Sequence, residues 1–332
     1  MRLRRKIWSM VALLMVMLSA GCHRRPLEEM DDSLYLDLKL DLSVQNIEGG
    51  QLRKPELMRV LFYDAETLEF VSDDYVLPEG GYINALPGKY KMLVYNFDTE
   101  STIIRGDRNV GEIEAYTSEI PTSTRANLLT KLKAAATKPS FIAPDPEALI
   151  VYEPDHLLVA REDVEIVRRT GTQTLYADAS SIVETYYLGV KLNNKGHLAS
   201  AQALLSGQAK SNTFGFEGGV SKESVILYFD MFSGVNEKEG DVDVLQATFN
   251  TFGKLPEEVS HLWLTIVVTN TNGETVTWQK DITDEFNNNP DKYIYIEEPP
   301  IDVPIPPTPP SSGGGFQPTV GEWEEENYDI AI

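Results

Sequence analysis

Leu34, Leu36, Leu38, Leu40, Leu42 and Val44 alternate with Tyr35, Asp37, Lys39, Asp41 and Ser43. A strict period of two sets every apolar residue on one face of an extended chain and the intervening residues on the other. Wound as a helix, the same leucines would spread around the whole circumference and leave no coherent face to bury. This stretch therefore demands a sheet with one face in a core and one in water.

The pattern continues downstream. Met58, Val60 and Phe62 alternate in the same way and run into a turn at Asp64-Ala65-Glu66. Pro78-Glu-Gly-Gly-Tyr82 and Leu86-Pro-Gly-Lys-Tyr90 punctuate two more strands. The second leads into 90–96, apolar enough to be covered on both faces. One helix is expected. After the cap candidates Thr122, Ser123 and Thr124, residues 126–136 place Leu128, Leu132 and Ala135 on one side. It reads as a short crossover over a sheet end, stopped by Pro139, Pro144, Pro146 and Pro154.

Character changes around 155–165, and the strand pattern restarts in 164–169, 181–192 and 225–232. Residues 199–205 fit either a strand or a helical turn. Asn270-Thr-Asn-Gly273 between the β-rich runs 261–269 and 274–280 predicts a hairpin with a type I′ turn. About a dozen strands and one short helix define an all-β chain. Two β-sandwiches in tandem fit better than one barrel, with an N-terminal unit over 34–160 and a C-terminal unit over 161–298.

Both ends differ from this body. Arg2, Arg4, Arg5 and Lys6 precede an apolar run over 11–18, the layout of a secretory signal peptide over 1–21. The run is too short to span a bilayer. Leu18-Ser19-Ala20-Gly21-Cys22 resembles a bacterial lipobox, which implies that Cys22 becomes the mature N-terminus and carries acyl chains such as palmitate. Residues 22–33 are polar and aperiodic, a flexible tether. At the far end, prolines from Pro299 to Pro310 and Ser311-Ser-Gly-Gly-Gly315 make a spacer over 299–315, and 316–332 form an acidic tail with spaced aromatics.

Cys22 is the single cysteine, so disulfides and cysteine-based sites are excluded and stability rests on apolar cores. The chain carries a net charge of −22; loss of 1–21 leaves 25 basic against 51 acidic residues. Such a body is repelled by phosphate backbones, so nucleic acid is not an expected partner.

A search for chemistry returns little. His23, His156, His197 and His261 are isolated and form no metal-ligand spacing. No Gly-x-Ser-x-Gly elbow occurs, and Gly313-Gly-Gly315 lacks the Lys-Ser/Thr of a phosphate loop. Asp73-Asp74 and Asp281 with Asp284 are acidic pairs without a calcium-loop spacing. No cofactor or metal is expected, and the chain is not expected to be an enzyme. Trp263 and Trp278 lie on opposite arms of the predicted hairpin; they either pair across strands beside the core or form a sugar-stacking platform.

The lipobox, strand 34–44, Met58-Arg-Val-Leu-Phe-Tyr-Asp64, Leu86-Pro-Gly-Lys-Tyr-Lys-Met-Leu-Val-Tyr-Asn96 and the closing Gly313-Gly-Gly-Phe316 to Trp323 segment together resemble a known group. It is that of the fimbrillin-like and fimbrial-anchor lipoproteins of the Bacteroidetes, and more closely a related class known only as a domain of unknown function. The resemblance implies two transthyretin-like β-sandwiches and a lipid-anchored, surface-exposed place in the outer membrane. It further implies a role in anchoring or forming fimbriae and in adhesion. Partners would be fimbrial subunits, joined by strand addition at an exposed sheet edge, with the C-terminal domain or tail meeting the next subunit. The alternative is a glycan-binding lipoprotein of a polysaccharide uptake system, for which Trp263 and Trp278 are the candidate contacts. A lipoprotein hydrolase, the third reading, needs a cleft with convergent carboxylates.

Overall fold

The computed structural model describes residues 33–43, 54–135, 141–145, 147–255 and 261–307. The lipobox, Cys22, the tether up to residue 32, Val44 and everything after 307, including the 316–332 tail, lie outside the described residues. Among the described residues the fold is all-β, built on two tandem sheets joined by a smaller third one, with two short α-helices.

The first sheet contains β1 (Leu34–Ser43), β2 (Met58–Asp64), β3 (Phe70–Val76), β4 (Gly80–Ala85), β5 (Gly88–Asn96), β9 (Leu158–Ile166) and β10 (Gln173–Ser181). Their spatial order is β3-β2-β5-β9-β10-β1-β4. The alternation that opens the chain does what its period requires. Leu36 and Leu38 are fully buried and join Val60, Phe62, Met92 and Val94 inside, while Tyr35, Lys39 and Asp41 face water. The edge strands β3 and β4 meet through a bridge between Leu77 and Gly80, which curls the sheet around this core. Strand β5 is covered on both faces: Met92 and Val94 enter the inner core, Leu93 and Tyr95 an outer one.

That outer core lies beneath the third sheet. Strands β6 (Thr102–Arg105) and β7 (Glu114–Thr117) pair with β13 (Ser211–Thr213) and β14 (Gly219–Val220) from far along the chain. The β7–β13 ladder couples the two halves of the sequence. Leu61, Tyr63, Leu93, Tyr95, Ile113, Phe214 and Phe252 form one apolar cluster under it. Arg161 fastens the cover, donating from Nε to the carbonyls of Phe214 (3.1 Å) and Gly215 (2.8 Å). At Gly215 the backbone comes so close to Val110 that a Cβ would sit 1.7 Å from its carbonyl oxygen.

The second sheet runs β18-β17-β12-β15-β16-β11-β19. These strands are β11 (Glu184–Asn193), β12 (Leu198–Ala209), β15 (Ser224–Asn236), β16 (Val242–Thr251), β17 (Trp263–Asn270), β18 (Thr275–Asp281) and β19 (Tyr293–Asp302). Strand β8 (Ile150–Tyr152) lies parallel beside β15. Helix α1 (Thr122–Ala135) comes from the first half of the sequence but packs on this sheet: Leu128 and Leu132 meet Ile150, Leu204, Ile226 and Val267. Helix α2 (Thr283–Asn287) buries Phe286 against Tyr186.

Three sequence expectations need adjustment, and one left open is decided. The change of character near 155–165 is not a change of sheet, because β9 and β10 complete the first sheet and the chain crosses over only after Ser181. Residues 199–205, which fit either a strand or a helical turn, are strand. The hairpin at 270–273 forms, but only Gly273 takes a positive φ (83°). The Asn270 side chain accepts the Asn272 and Glu274 N–H groups and organises a different turn from type I′. Finally, Pro299 and Pro300 lie within β19, at the register shift opposite Val190 to Leu192, where the ladder asks no donor of them.

Candidate functional site

Strand direction fixes where the chain enters and leaves the body. Strand β1 runs parallel to β10, and Ser43 pairs with Ser180 next to the crossover into the second sheet. Leu34, at the other end of β1, therefore lies at the pole farthest from the second sheet. Strand β11 starts at the crossover, and β19 runs parallel to it, ending with Asp302 beside Asn193. Beyond β19, Asn194 Nδ2 donates to the Val303 carbonyl (3.2 Å) and Asn270 Nδ2 to the Pro304 carbonyl (3.0 Å). The described chain thus begins at one pole and ends at the opposite one.

The edges of the second sheet differ from those of the first. Strands β18 and β19 face each other, yet no backbone ladder joins them among the described residues. Side chains hold the seam instead: Trp278 Nε1 donates to the Pro299 carbonyl (3.1 Å) and Lys280 Nζ to the Glu298 carbonyl (3.2 Å). Unpaired strand edges of this kind accept added strands.

The two tryptophans do not come together. Trp278 pairs with Ile266, on the face that enters the main core of the second unit. Trp263, three residues before Ile266, points from the other face. A shared sugar platform is excluded by this parity; Trp278 packs against the core while its indole N–H holds β19. Trp263 instead borders a cavity of about 410 Å³ with Ile142, Asp145, Ser206, Thr265 and Gln279. Gln279 clamps the strap over that cavity, accepting the Ile142 N–H (2.9 Å) and donating to its carbonyl (2.9 Å).

The polar groups serve the fold. Asp155 Oδ2 accepts the N–H groups of Glu100, Ser101 and Thr102 and the Ser101 hydroxyl. Burial pushes the neighbouring Glu153 carboxyl up to about 7, opposed by the Asn250 N–H it accepts and aided by the charges of Asp155 and Asp230. Asp73 pairs with Arg59, which also reaches Asp107 and the Tyr95 hydroxyl. For Asp281, burial works upward, but bonds from Thr283 and His261 outweigh it and hold the carboxyl below its usual range. Burial also lowers the pKa of His156, whose Nε2 has no partner. No group of three or more His, Cys, Asp or Glu arranged to hold a metal occurs among the described residues.

The fold and its relatives agree. Residues 21–230 match the profile of the family described as "Domain of unknown function (DUF5119)". The chain belongs to this family. It is 26% identical to the "Putative fimbrium anchoring subunit Fim4B" of Bacteroides ovatus, over 97% of each chain. A crystal structure of a "putative adhesin" from Bacteroides ovatus superposes with a TM-score of 0.56 at 25% identity, over 87% of this chain and 99% of that one. The fimbrial anchor protein Mfa2 of Porphyromonas gingivalis gives a TM-score of 0.39 at 15% identity, over 76% and 83%, too distant to add weight. The relatives of this chain are thus fimbrial anchoring and adhesin-like proteins of the Bacteroidetes, with names that describe attachment, not catalysis. No described helix is long and apolar enough to cross a membrane.

Proposed function

We infer that this chain is a fimbrial anchoring subunit, held at the outer membrane by lipid on Cys22 and exposed on the cell surface, with a structural and non-catalytic role. The observation that carries this reading is that the described residues begin with β1 at one pole and end after β19 at the opposite one. A tether at one pole leaves the far pole free to meet a partner, which is the geometry a base subunit needs. Two or more acyl chains, at about 0.8 kcal/mol per buried CH₂, hold such a body without a spanning helix. The next subunit would join by strand addition, either along the β18–β19 seam or through the segment after residue 307.

Palmitate labelling with membrane fractionation tests the anchor. The wild-type chain should label and sediment with outer membranes, and Cys22→Ser should do neither. Equal sedimentation of both would contradict it. The joining step is tested by capture of β-rich fimbrial subunits with chains truncated after 307. A cut at 299 is unsuitable, because Ile301 and Val303 are buried in the second core.

A further inference from the structure

The outward face of β10, β1 and β4 carries an array apart from the β18–β19 seam and the segment after residue 307 that the anchoring reading invokes. Tyr35, Tyr82 and Tyr176 are 71%, 72% and 73% exposed. All three point outward from the same three strands, since their neighbours Leu36, Ile83 and Leu175 point into the core. Tyr82 stands opposite Asp37, and Tyr176 opposite Lys39 on the other side of β1. Tyr35 and Tyr82 are diagonal neighbours, ~7–8 Å apart along the ladder and somewhat closer at Cβ. Tyr82 and Tyr176 flank β1, about 12 Å apart, two strand spacings across and two residues along. Both ladders keep unbroken register, so the rings rise from one continuous surface. Gly80, opposite Lys39, carries no side chain and leaves its floor low.

Between the rings stand hydrogen-bonding groups: Asp37 and Lys39, paired at 3.1 Å, with Asn84 opposite Tyr35 and Thr174 opposite Asp37. Asp41 and Asp178 face each other directly, a like-charge pair that costs stability. This composition selects its ligand. A protein interface clears charge from its centre, and covering Asp37, Asp41 and Asp178 with one lysine among them would strand carboxylates. Anionic lipid headgroups are repelled by the same carboxylates and by the chain's net charge of −22. An uncharged sugar chain meets both demands, with C–H faces for the electron-rich rings and hydroxyl donors for the carboxylates.

We propose that the β10–β1–β4 face is a binding platform for a neutral oligosaccharide, with Tyr35, Tyr82 and Tyr176 stacking on sugar rings and Asp37, Asn84 and Thr174 bonding hydroxyls. The platform would give the subunit an adhesive function of its own, whether or not it anchors a fimbrium.

Affinity electrophoresis of the full chain through gels containing mannan, xylan or laminarin tests this. Retardation in at least one gel is expected, falling about tenfold in affinity in the double variant Tyr82→Ala/Tyr176→Ala. Tyr82→Phe/Tyr176→Phe should keep most of the affinity, because the ring is retained. Both variants should melt with the wild type, since neither ring contributes to a core. No retardation in any gel, or retardation unchanged by the alanine pair, would overturn the proposal. So would an alanine effect seen only on self-association or on sedimentation with phosphatidylglycerol vesicles.

Discussion

The outer face of the first sheet divides into two halves of opposite fate. Over β2, β5 and β9 it is roofed by the third sheet, and Leu61, Tyr63, Leu93 and Tyr95 are fully buried there. Over β10, β1 and β4 no described residue covers it, and three tyrosines are exposed. The residue type is shared, so composition does not decide the fate. The covered rings have partners: Tyr95 meets Phe214 edge-on at 5.4 Å and receives a hydrogen bond from Arg59 (3.0 Å). Between the exposed rings stand Asp37, Lys39, Asn84 and Thr174. An aromatic is structural where another layer supplies both an apolar contact and a bond for its hydroxyl; otherwise it is available for a ligand.

The sharpest way to break this contrast is to delete a ring from each half. Tyr95→Ala should cost ~3–5 kcal/mol, the range for an aromatic truncated in a core. Tyr176→Ala should stay within ~0.5 kcal/mol, as for other surface changes. Urea denaturation of both variants measures the difference, and similar losses would erase the distinction between the halves.

The pH dependence sharpens the contrast where the roofed region meets the second unit. Glu153, just beyond β8, has its carboxyl raised from 4.5 to about 7 by burial. As pH rises, the unfolded chain releases this proton first. The folded state is therefore unpenalised below 4.5, loses stability from 4.5 to 7 and carries the full penalty above 7. Glu153→Gln keeps an acceptor for the Asn250 N–H and removes the charge. It should stabilise by up to ~3 kcal/mol at pH 8 and leave stability unchanged at pH 4.5. Thermal melts at the two pH values read this directly.

A smaller effect is expected from the fastening of the roof. Arg161→Met keeps the apolar stem but strands the carbonyls of Phe214 and Gly215. The loss should be ~1–3 kcal/mol. Hydrogen exchange should show it as faster opening of β13 and β14 than of β1 and β4.

Much of the fold is written in the period of its strands. The alternation over 34–43, the two-sided burial of 90–96 and the buried stripe Leu128, Leu132 and Ala135 all follow from spacing alone. The third sheet does not, because strands of two to four residues carry no usable period and pair across the two halves of the chain. The crossover after Ser181 is hidden for a related reason: β9 and β10 look like any other strands, and only their partners show which sheet they complete. Among site residues, Trp263 and Trp278 stand out by type, yet their positions relative to Ile266 separate them onto opposite faces. The tyrosine face is half legible. Tyr35, Asp37 and Lys39 declare a water-facing row, but Tyr82 and Tyr176 join it only through ladder register.

Anchoring itself is tested most directly by a pull-down from intact cells with the full chain as bait and mass spectrometry of what it retains. A base subunit should recover β-rich pilin-like proteins, in amounts that fall when residues 308–332 are removed or the β18–β19 seam is blocked. Recovery of transporters and glycan-processing proteins with no pilin-like subunit would contradict fimbrial anchoring.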